Sequence, residues 1–199
     1  MKRSAIGLLT AAWFGVVFLA ASGQQGPLAT SGQIVVDGHA ASYVIHHLPA
    51  SSFPQLPARV QGVLNQRGCL IPQTYEAHQP ENVVQASLER RGSMDWAVLC
   101  SEHDTVSLLV FFGDNLVAPY VLETAPETER LEPHGANGAL GFDWGIDAAT
   151  PEQVHQAQAA MRRSPPQIDH DALADSIIDQ TEVYHYYAGI AWTVLKTQE

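Results

Sequence analysis

The sequence predicts a single α+β domain over residues 34–199, with a mainly antiparallel sheet, about two helices and a C-terminal β-hairpin. Three observations predict this fold class. Short segments rich in β-branched and aromatic residues recur between turn residues, which is typical of strands. Two other segments carry the start signals of helices. The chain without its N-terminal segment has the length of one domain, and the order of its strands and helices favours the α+β class.

The N-terminal segment has the three-part order of a secretory signal. Lys2 and Arg3 give a positive start, an apolar run extends over residues 5–21, and small residues with two glutamines follow. We therefore expect a signal peptide over residues 1–23, a flexible lead-in over residues 24–33, and a periplasmic or secreted protein. The alternative is an uncleaved membrane anchor, but the apolar run is slightly shorter than the about 20 residues of a full span.

The chain is acidic, with 10 Lys and Arg residues against 21 Asp and Glu residues and a net charge of −11 with neutral histidines. No basic patch is visible in the sequence, and this charge repels nucleic acids and anionic membrane surfaces. We therefore expect no nucleic-acid partner and no membrane contact beyond the signal segment. A solvated acidic surface explains the charge, and a cationic partner is the alternative.

The first half of the domain begins with one or two short strands in GQIVVDGHAASYVIHHL. A helix follows, because Pro57 suits the first helical position and Gly68 suits the exit. The apolar residues on one face of this helix are Leu56, Val60, Val63 and Leu64. CLIPQ is then a short strand.

The centre of the chain predicts an antiparallel meander of NVVQASL, MDWAVLCS and TVSLLVFF, separated by the polar turns ERRGS and EHD. In the second segment, Trp96, Val98 and Cys100 share one face, while Ala97 and Leu99 share the other. The third segment is apolar on nearly every position, which is typical of a central strand that is covered on both faces. We therefore expect helices or another layer to pack over this sheet.

The last third of the domain contains a weaker strand in VAPYVLE, a long exposed loop from Thr124 to Gly138, and a short strand in LGFDWGI. A second helix begins at Thr150, which is a good N-cap, with Pro151 at the first helical position and Gln153 completing a capping box. SPPQ ends this helix. EVYHYYAGIAWTVLK then predicts a β-hairpin, with its turn near residues 188–189.

The chain has two cysteines, Cys69 and Cys100. In an exported protein such a pair usually forms a disulfide, which on the chain-entropy model contributes about 3.5–4 kcal/mol to stability. Two buried free thiols are the second interpretation. A catalytic thiol is the third, but it needs a neighbouring base, Cys100 lies in an apolar strand, and the chain has no Cys-x-x-Cys motif. We predict the disulfide.

Two acidic segments contain candidate site residues. In GFDWGID, Asp143 and Asp147 flank a tryptophan, and paired carboxylates beside an aromatic ring occur in carbohydrate-hydrolysing sites. DHDALAD offers Asp169, His170 and Asp171, with Asp175 further on, as acid–base groups or metal ligands. The alternatives are solvated acids at an edge strand for the first segment and a helix cap by Asp171 for the second.

The C-terminal hairpin places Tyr184 and Tyr186 on one strand face, with His185 and Tyr187 on the other, and Trp192 on the returning strand. If exposed, these aromatic side chains favour a sugar or protein ligand, and core packing of one face is the alternative. The nine histidines do not indicate a metal, since the sequence has no His-Glu-x-x-His motif and no Cys/His zinc spacing. Adjacent histidines at 46–47 point to opposite faces of a strand. We expect no metal and no cofactor.

The segments RGCLIPQ, ENVVQASLERRGSMDWAVLCS, SLLVFF and YHYYAGIAWTVL together resemble a set of uncharacterised exported bacterial proteins. Residues 82–112 also resemble, distantly, an FG-GAP or VCBS repeat, which is one blade of a β-propeller. Such blades carry an Asp-rich calcium loop between two strands. The equivalent turn, LERRGSMD, keeps Gly92 and Asp95 but has Arg90 and Arg91 where acids are required, so the resemblance does not imply calcium binding.

These observations predict an exported, non-catalytic binding or interaction module of the cell envelope, with a protein or carbohydrate ligand. No nucleophile elbow and no phosphate-binding loop is present in the sequence. The alternative is an extracytoplasmic hydrolase that uses Asp and His residues of GFDWGID and DHDALAD. That alternative requires the carboxylates of these two segments to converge on one pocket.

Overall fold

A computed structural model describes residues 28–135, 138–159, 167–177 and 183–196. The predicted signal peptide over residues 1–23 lies outside this part of the chain. The first sheet contains β1 (Leu28–Val36), β2 (His39–Pro49), β3 (Leu70–Gln73), β4 (Val83–Ala86), β5 (Asp95–Glu102), β6 (Thr105–Phe112), β7 (Asn115–Pro126), β8 (Leu131–His134) and β9 (Ala139–Phe142). The second sheet contains β10 (Trp144–Ala149), β11 (Ala172–Ile177), β12 (Val183–Tyr187) and β13 (Trp192–Lys196). The α-helices are α1 (Ala58–Arg67) and α2 (Pro151–Ala159).

Strand pairing in both sheets is mainly antiparallel. The first sheet has the order β7-β6-β5-β3-β2-β9-β8, with β1 paired to β2 and β4 paired to β5. Its parallel pair is β2 with β9. The second sheet has the order β10-β11-β12-β13. The predicted antiparallel pairing, the two helices and the C-terminal hairpin are confirmed, but the described residues are mostly strand and form two sheets rather than one.

The two sheets and two helices form four layers. On one face of the first sheet, Val60 and Leu64 of α1 pack in one cluster with Val98 and Cys100 of β5. On the other face, the second sheet covers β5 and β6 through a separate buried cluster that includes Trp144. α2 packs on the outer face of the second sheet through Val154. The expectation that both faces of β6 are covered is therefore confirmed.

The helix limits follow the sequence signals. Gly68 ends α1 in the left-handed conformation, with φ of 74°, and its backbone N–H reaches the carbonyls of Leu64 and Asn65. At the start of α2, the Thr150 N–H donates to Gln153 Oε1 at 2.7 Å, and the Gln153 N–H donates to Thr150 Oγ1 at 3.4 Å. These reciprocal bonds are the predicted capping box.

The expected flexible lead-in over residues 24–33 is wrong from Leu28 onward. β1 begins there and pairs along its whole length with β2, from Leu28 opposite His47 to Val36 opposite His39. Asp37 and Gly38 form the two-residue turn, with φ of 50° and 80°. Two positive φ values are what a tight hairpin requires, so this Asp-Gly pair fixes the register and orders the strand before it.

The expected exposed loop from Thr124 to Gly138 is also wrong. β7 continues to Pro126, a 3-10 turn spans Glu127–Arg130, and β8 pairs with β9. The carboxylate of Glu127 is buried and lies 2.7 Å from His47 Nε2, while the Ser101 hydroxyl donates to the same oxygen. Composition rich in Pro and Glu predicts a loop, but these buried bonds hold the segment against the first sheet.

The predicted single strand in LGFDWGI is two strands in different sheets. Phe142 ends β9, Trp144 begins β10, and Asp143 is the one residue between them. The Asp143 N–H donates to the Arg130 carbonyl at 3.0 Å, so the crossing is tied to the turn after β7. Residues 82–112, which carry the distant blade resemblance, contain β4, β5 and β6 of the first sheet, and that resemblance stays a prediction.

Candidate functional site

The candidate functional site lies where β7, at the edge of the first sheet, faces β11, β12 and β13 of the second. We call this region the inter-sheet edge. It is lined by two neighbouring groups of side chains. One is a polar centre formed by Glu123, Asp175 and His185. The other is an aromatic group formed by Phe112, Tyr120, Tyr187 and Trp192.

In the polar centre, one ring nitrogen faces two carboxylates. His185 Nε2 lies 3.0 Å from Asp175 Oδ2 and 3.9 Å from Glu123 Oε2. The His185 and Asp175 side chains are 4% and 5% exposed, whereas the Glu123 side chain is 34% exposed. The centre is therefore buried on the side of the second sheet and reachable from solvent on the side of β7.

A β-bulge in β7 brings Glu123 to this face. Leu109 pairs with Val121, and the residue before it in β6, Leu108, pairs with Glu123. Leu122 is therefore an extra residue in β7. With regular alternation, Tyr120 and Glu123 would point to opposite faces of the sheet. The extra residue shifts the alternation, and both side chains reach the inner face.

Each carboxylate of the polar centre is also held from outside it. The indole N–H of Trp144 donates to Asp175 Oδ1, and the Arg130 guanidinium donates to Glu123 Oε1. Arg130 lies over the Trp144 ring at 4.0 Å from the ring centroid, in a cation–π contact. These contacts leave the second oxygen of each carboxylate facing His185.

The surroundings of Glu123 in the polar centre raise its pKa. Burial raises the pKa of Glu123, the nearby charge of Asp175 and a hydrogen bond with it raise that pKa further, and Arg130 and His185 oppose the shift. Two carboxylates whose oxygens lie within 4.8 Å of each other repel when both are ionised, and a cation between them would relieve that repulsion.

Asp143 precedes Trp144, whose indole N–H donates to Asp175, and its own N–H donates to the Arg130 carbonyl. It is 1% exposed, and within the described ranges neither of its carboxylate oxygens has a hydrogen-bond partner. Burial raises the pKa of Asp143 to about 7, the Glu132 charge adds to the rise, and Arg130 opposes it. The residue that carries the chain between the sheets is thus an acid that titrates near neutral pH.

The aromatic group joins both sheets at the surface. Phe112 lies at its base, with ring centroids 4.9 Å from Tyr120, 5.0 Å from Tyr187 and 5.9 Å from Trp192. Tyr120 is 45% exposed, and Tyr187 and Trp192 are half-buried. Tyr184 and Tyr186, on the opposite face of β12, pack in the core under α2. One face of the hairpin is therefore core and the other faces solvent at its rim.

A second region, a polar cleft, collects the predicted residues Asp169, His170 and Asp171. The cleft has a volume of about 590 Å³ and is also lined by Arg91, Glu152 and His155. Asp171 accepts a hydrogen bond from the Ser87 N–H at 2.9 Å, so it ties the start of β11 to the loop after β4 instead of capping a helix. Among the described residues, no three metal-ligating atoms converge in this cleft.

The buried contact of His47, Glu127 and Ser101 does not form a catalytic triad. Burial raises the pKa of Glu127, but hydrogen bonds from His47 and Ser101 and the charge of His47 outweigh it, and the net shift is downward. The carboxylate lies between the serine and the histidine, whereas a triad needs the histidine in the middle. All three side chains are buried, so the contact is a structural tie between β2, β5 and the turn after β7.

Asp143 and Asp171, one from each predicted acidic segment, lie far apart. Trp144 pairs with Ile177 and Ala149 pairs with Ala172, so Asp143 and Asp171 lie at opposite ends of the β10–β11 pair. Seven residue steps along a strand correspond to about 20 Å. Asp147 is exposed on β10.

One residue from each acidic segment does meet, since Trp144 contacts Asp175. Glu123 and His185 were missed as site residues. Their strands are separated along the chain, and the sequence carries no local spacing that joins them.

Cys69 and Cys100 form a disulfide, with Cα atoms 5.3 Å apart, and the prediction is confirmed. This bond removes both thiols from consideration as catalytic groups. Neither described helix has the length and apolar composition needed to cross a membrane.

No protein-family model, no curated protein and no solved structure matches this chain.

Proposed function

We propose that this chain is an exported, non-catalytic binding module of the cell envelope, and that it binds carbohydrate at the aromatic group of the inter-sheet edge. The observation that carries the proposal is the cluster of four rings from both sheets that opens to solvent at Tyr120, Tyr187 and Trp192. The disulfide supports export, because such bonds persist in oxidising compartments. The N-terminal signal pattern supports the same location, in the periplasm or outside the cell.

Sugars are the ligand class that best matches this surface. Aromatic rings offer flat apolar area for the C–H faces of a sugar ring, and tyrosine hydroxyls donate and accept hydrogen bonds beside that area. The ring centroids of Tyr120 and Tyr187 lie 6.4 Å apart, so two hydroxyl-bearing rings border the same surface. The indole N–H of Trp192 is buried beneath this surface and has no hydrogen-bond partner among the described residues, so it is one unsatisfied donor beside the aromatic group.

The arrangement of acids favours binding over hydrolysis. Candidate ligand oxygens of Glu123 and Asp175 lie within 4.8 Å of each other, whereas the two carboxyl groups of a glycosidase are separated by about 5 Å or more to flank the bond they cleave. Asp143 and Asp171 lie at opposite ends of the β10–β11 pair. Asp147 and Asp175 point to opposite faces of this pair, because Asp147 pairs with Ala174 and the preceding residue, Ile146, pairs with Asp175. The hydrolase alternative requires the acids of the two segments to converge, and these placements do not favour it.

The proposal is tested by titrating the chain over residues 24–199 with defined oligosaccharides. The probes are cello-oligosaccharides, chito-oligosaccharides and soluble peptidoglycan fragments, and the readouts are calorimetry and tryptophan fluorescence. We expect saturable binding of at least one probe and at least a tenfold weaker affinity for Tyr120→Ala, because one lost ring contact of about 1.4 kcal/mol is a factor of ten.

Val121→Ala is the matched control. Val121 is the next residue of β7, is 53% exposed and faces the other side of the sheet, so its replacement should leave the affinity unchanged. Absence of saturable binding for every probe would overturn the carbohydrate proposal. So would equal affinities of the wild type and Tyr120→Ala.

A further inference from the structure

We propose that the polar centre binds one divalent transition-metal ion of the zinc class, with Glu123 Oε2, Asp175 Oδ2 and His185 Nε2 as its protein ligands. This inference does not rest on carbohydrate binding. The sequence predicts no metal, because the three residues come from β7, β11 and β12 and form no local motif. The sheet packing creates the site.

The distances between the three ligand atoms match those around a metal ion. A tetrahedral ion with bonds of about 2.0–2.2 Å separates its ligand atoms by about 3.3–3.6 Å. In the polar centre, His185 Nε2 lies 3.0 Å from one carboxylate oxygen and 3.9 Å from the other, values that bracket this range. The candidate ligand atoms of all three residues lie within 4.8 Å of one another. Shifts of about 0.3 Å would bring the two distances to His185 Nε2 into this range.

The donor set selects the class of metal. One imidazole nitrogen with two carboxylate oxygens suits zinc and its neighbours in the first transition row, whereas calcium and magnesium prefer ligand sets made of oxygen. Three protein ligands leave a fourth position free. The exposed side of Glu123 places that position toward solvent, which also provides an entry path.

Contacts outside the three ligands orient them for this role. Trp144 binds Asp175 Oδ1 and Arg130 binds Glu123 Oε1, so each carboxylate is fixed through the oxygen that does not face His185. Metal sites commonly hold their ligands through such outer donors. The bulge at Leu122 also contributes to the site. It turns Glu123 to the inner face of β7, where it faces Asp175.

The test uses untagged protein over residues 24–199, treated with a chelator, dialysed and titrated with Zn²⁺ alone by calorimetry. A parallel titration with Co²⁺ uses visible absorption to report the coordination. We expect one equivalent of metal and a Co²⁺ spectrum of a four-coordinate site with nitrogen and oxygen ligands. Glu123→Gln should weaken Zn²⁺ binding at least tenfold, and His185→Gln should abolish the Co²⁺ spectrum.

The matched controls are Glu129→Gln and His46→Gln, both exposed and outside the polar centre. They should retain the wild-type affinity and stoichiometry. If circular dichroism shows that His185→Gln does not fold, Glu123→Gln still tests the proposal. The Glu123 side chain is partly exposed, and glutamine has nearly the same shape, so this variant should fold. The absence of a stoichiometric site in the wild type would overturn the proposal. Equal Zn²⁺ affinity of Glu123→Gln and the wild type would also overturn it, because it would show that Glu123 is not a ligand.

Discussion

At the scale of single residues, Asp143 combines a structural and an electrostatic role. It is the one residue between β9 and β10, and its N–H is bonded to Arg130 while its carboxylate is buried. Burial next to Glu132 raises its pKa to about 7. An acid whose pKa is raised by folding binds more protons in the folded than in the unfolded chain. The stability of the molecule should therefore fall as pH rises from about 4, near the ordinary value for Asp, through 7.

Asp143→Asn should remove this dependence. We expect the variant and the wild type to have similar free energies of unfolding near pH 4, and the variant to be more stable at pH 8 by up to about 4 kcal/mol, since the pKa rises by about 3 units and each unit corresponds to about 1.4 kcal/mol. Urea unfolding across this pH range measures the difference. Asp169→Asn, at an exposed position, is the control. A gap between Asp143→Asn and wild type that stays constant with pH would contradict the assignment.

At the scale of elements, α2 depends on its first turn. The capping box of Thr150 and Gln153 satisfies two N–H groups that the helix itself leaves free. The helix then covers the outer face of the second sheet with Val154. Loss of the cap should therefore destabilise the second sheet as well as the helix.

Thr150→Ala should lower the free energy of unfolding by about 1 kcal/mol, the usual cost of losing a threonine N-cap. Chemical denaturation monitored by circular dichroism measures it. Thr150→Ser, which keeps the hydroxyl, should stay close to wild type. An alanine variant as stable as wild type would show that tertiary packing alone sets the start of α2.

The elements that sequence patterns predicted are those whose cause is local. The two helices have caps, the β4–β6 meander has alternating faces, and the C-terminal hairpin has its turn signal, so each was found. The bulge at Leu122 and the crossing at Asp143 were not, because an alternating pattern does not show an extra residue or a change of sheet. DHDALAD did contain Asp175 of the polar centre. Its partners Glu123 and His185 were missed because long-range packing alone brings them together.

At the scale of the whole molecule, the first sheet is continuous through a narrow connection. β3 and β5 pair through Leu70 and Ser101 alone. On one side of this pair lie β4, β5, β6 and β7, and on the other lie the remaining strands of the sheet. The Cys69–Cys100 bond joins the residues next to that pair, so the covalent link crosses the sheet where hydrogen bonding is weakest.

Replacement of both cysteines by alanine should lower the free energy of unfolding by about 3.5–4 kcal/mol, on the basis of the chain length that the bond closes. Denaturant unfolding of the double variant against the oxidised wild type measures this cost. The reduced wild type is the control, and it should resemble the double variant. Equal stability of the oxidised wild type and the double variant would show that packing under α1 is enough to hold the two halves of the first sheet together.

The narrow connection also has a mechanical consequence. With the disulfide intact, the two halves of the first sheet are joined covalently as well as by hydrogen bonds. A force applied to one half is then transmitted to the other through the disulfide. Without it, bending concentrates at the Leu70–Ser101 pair, which then works as a hinge. The oxidising power of the compartment in which the protein resides would thus set the rigidity of the sheet that carries β7.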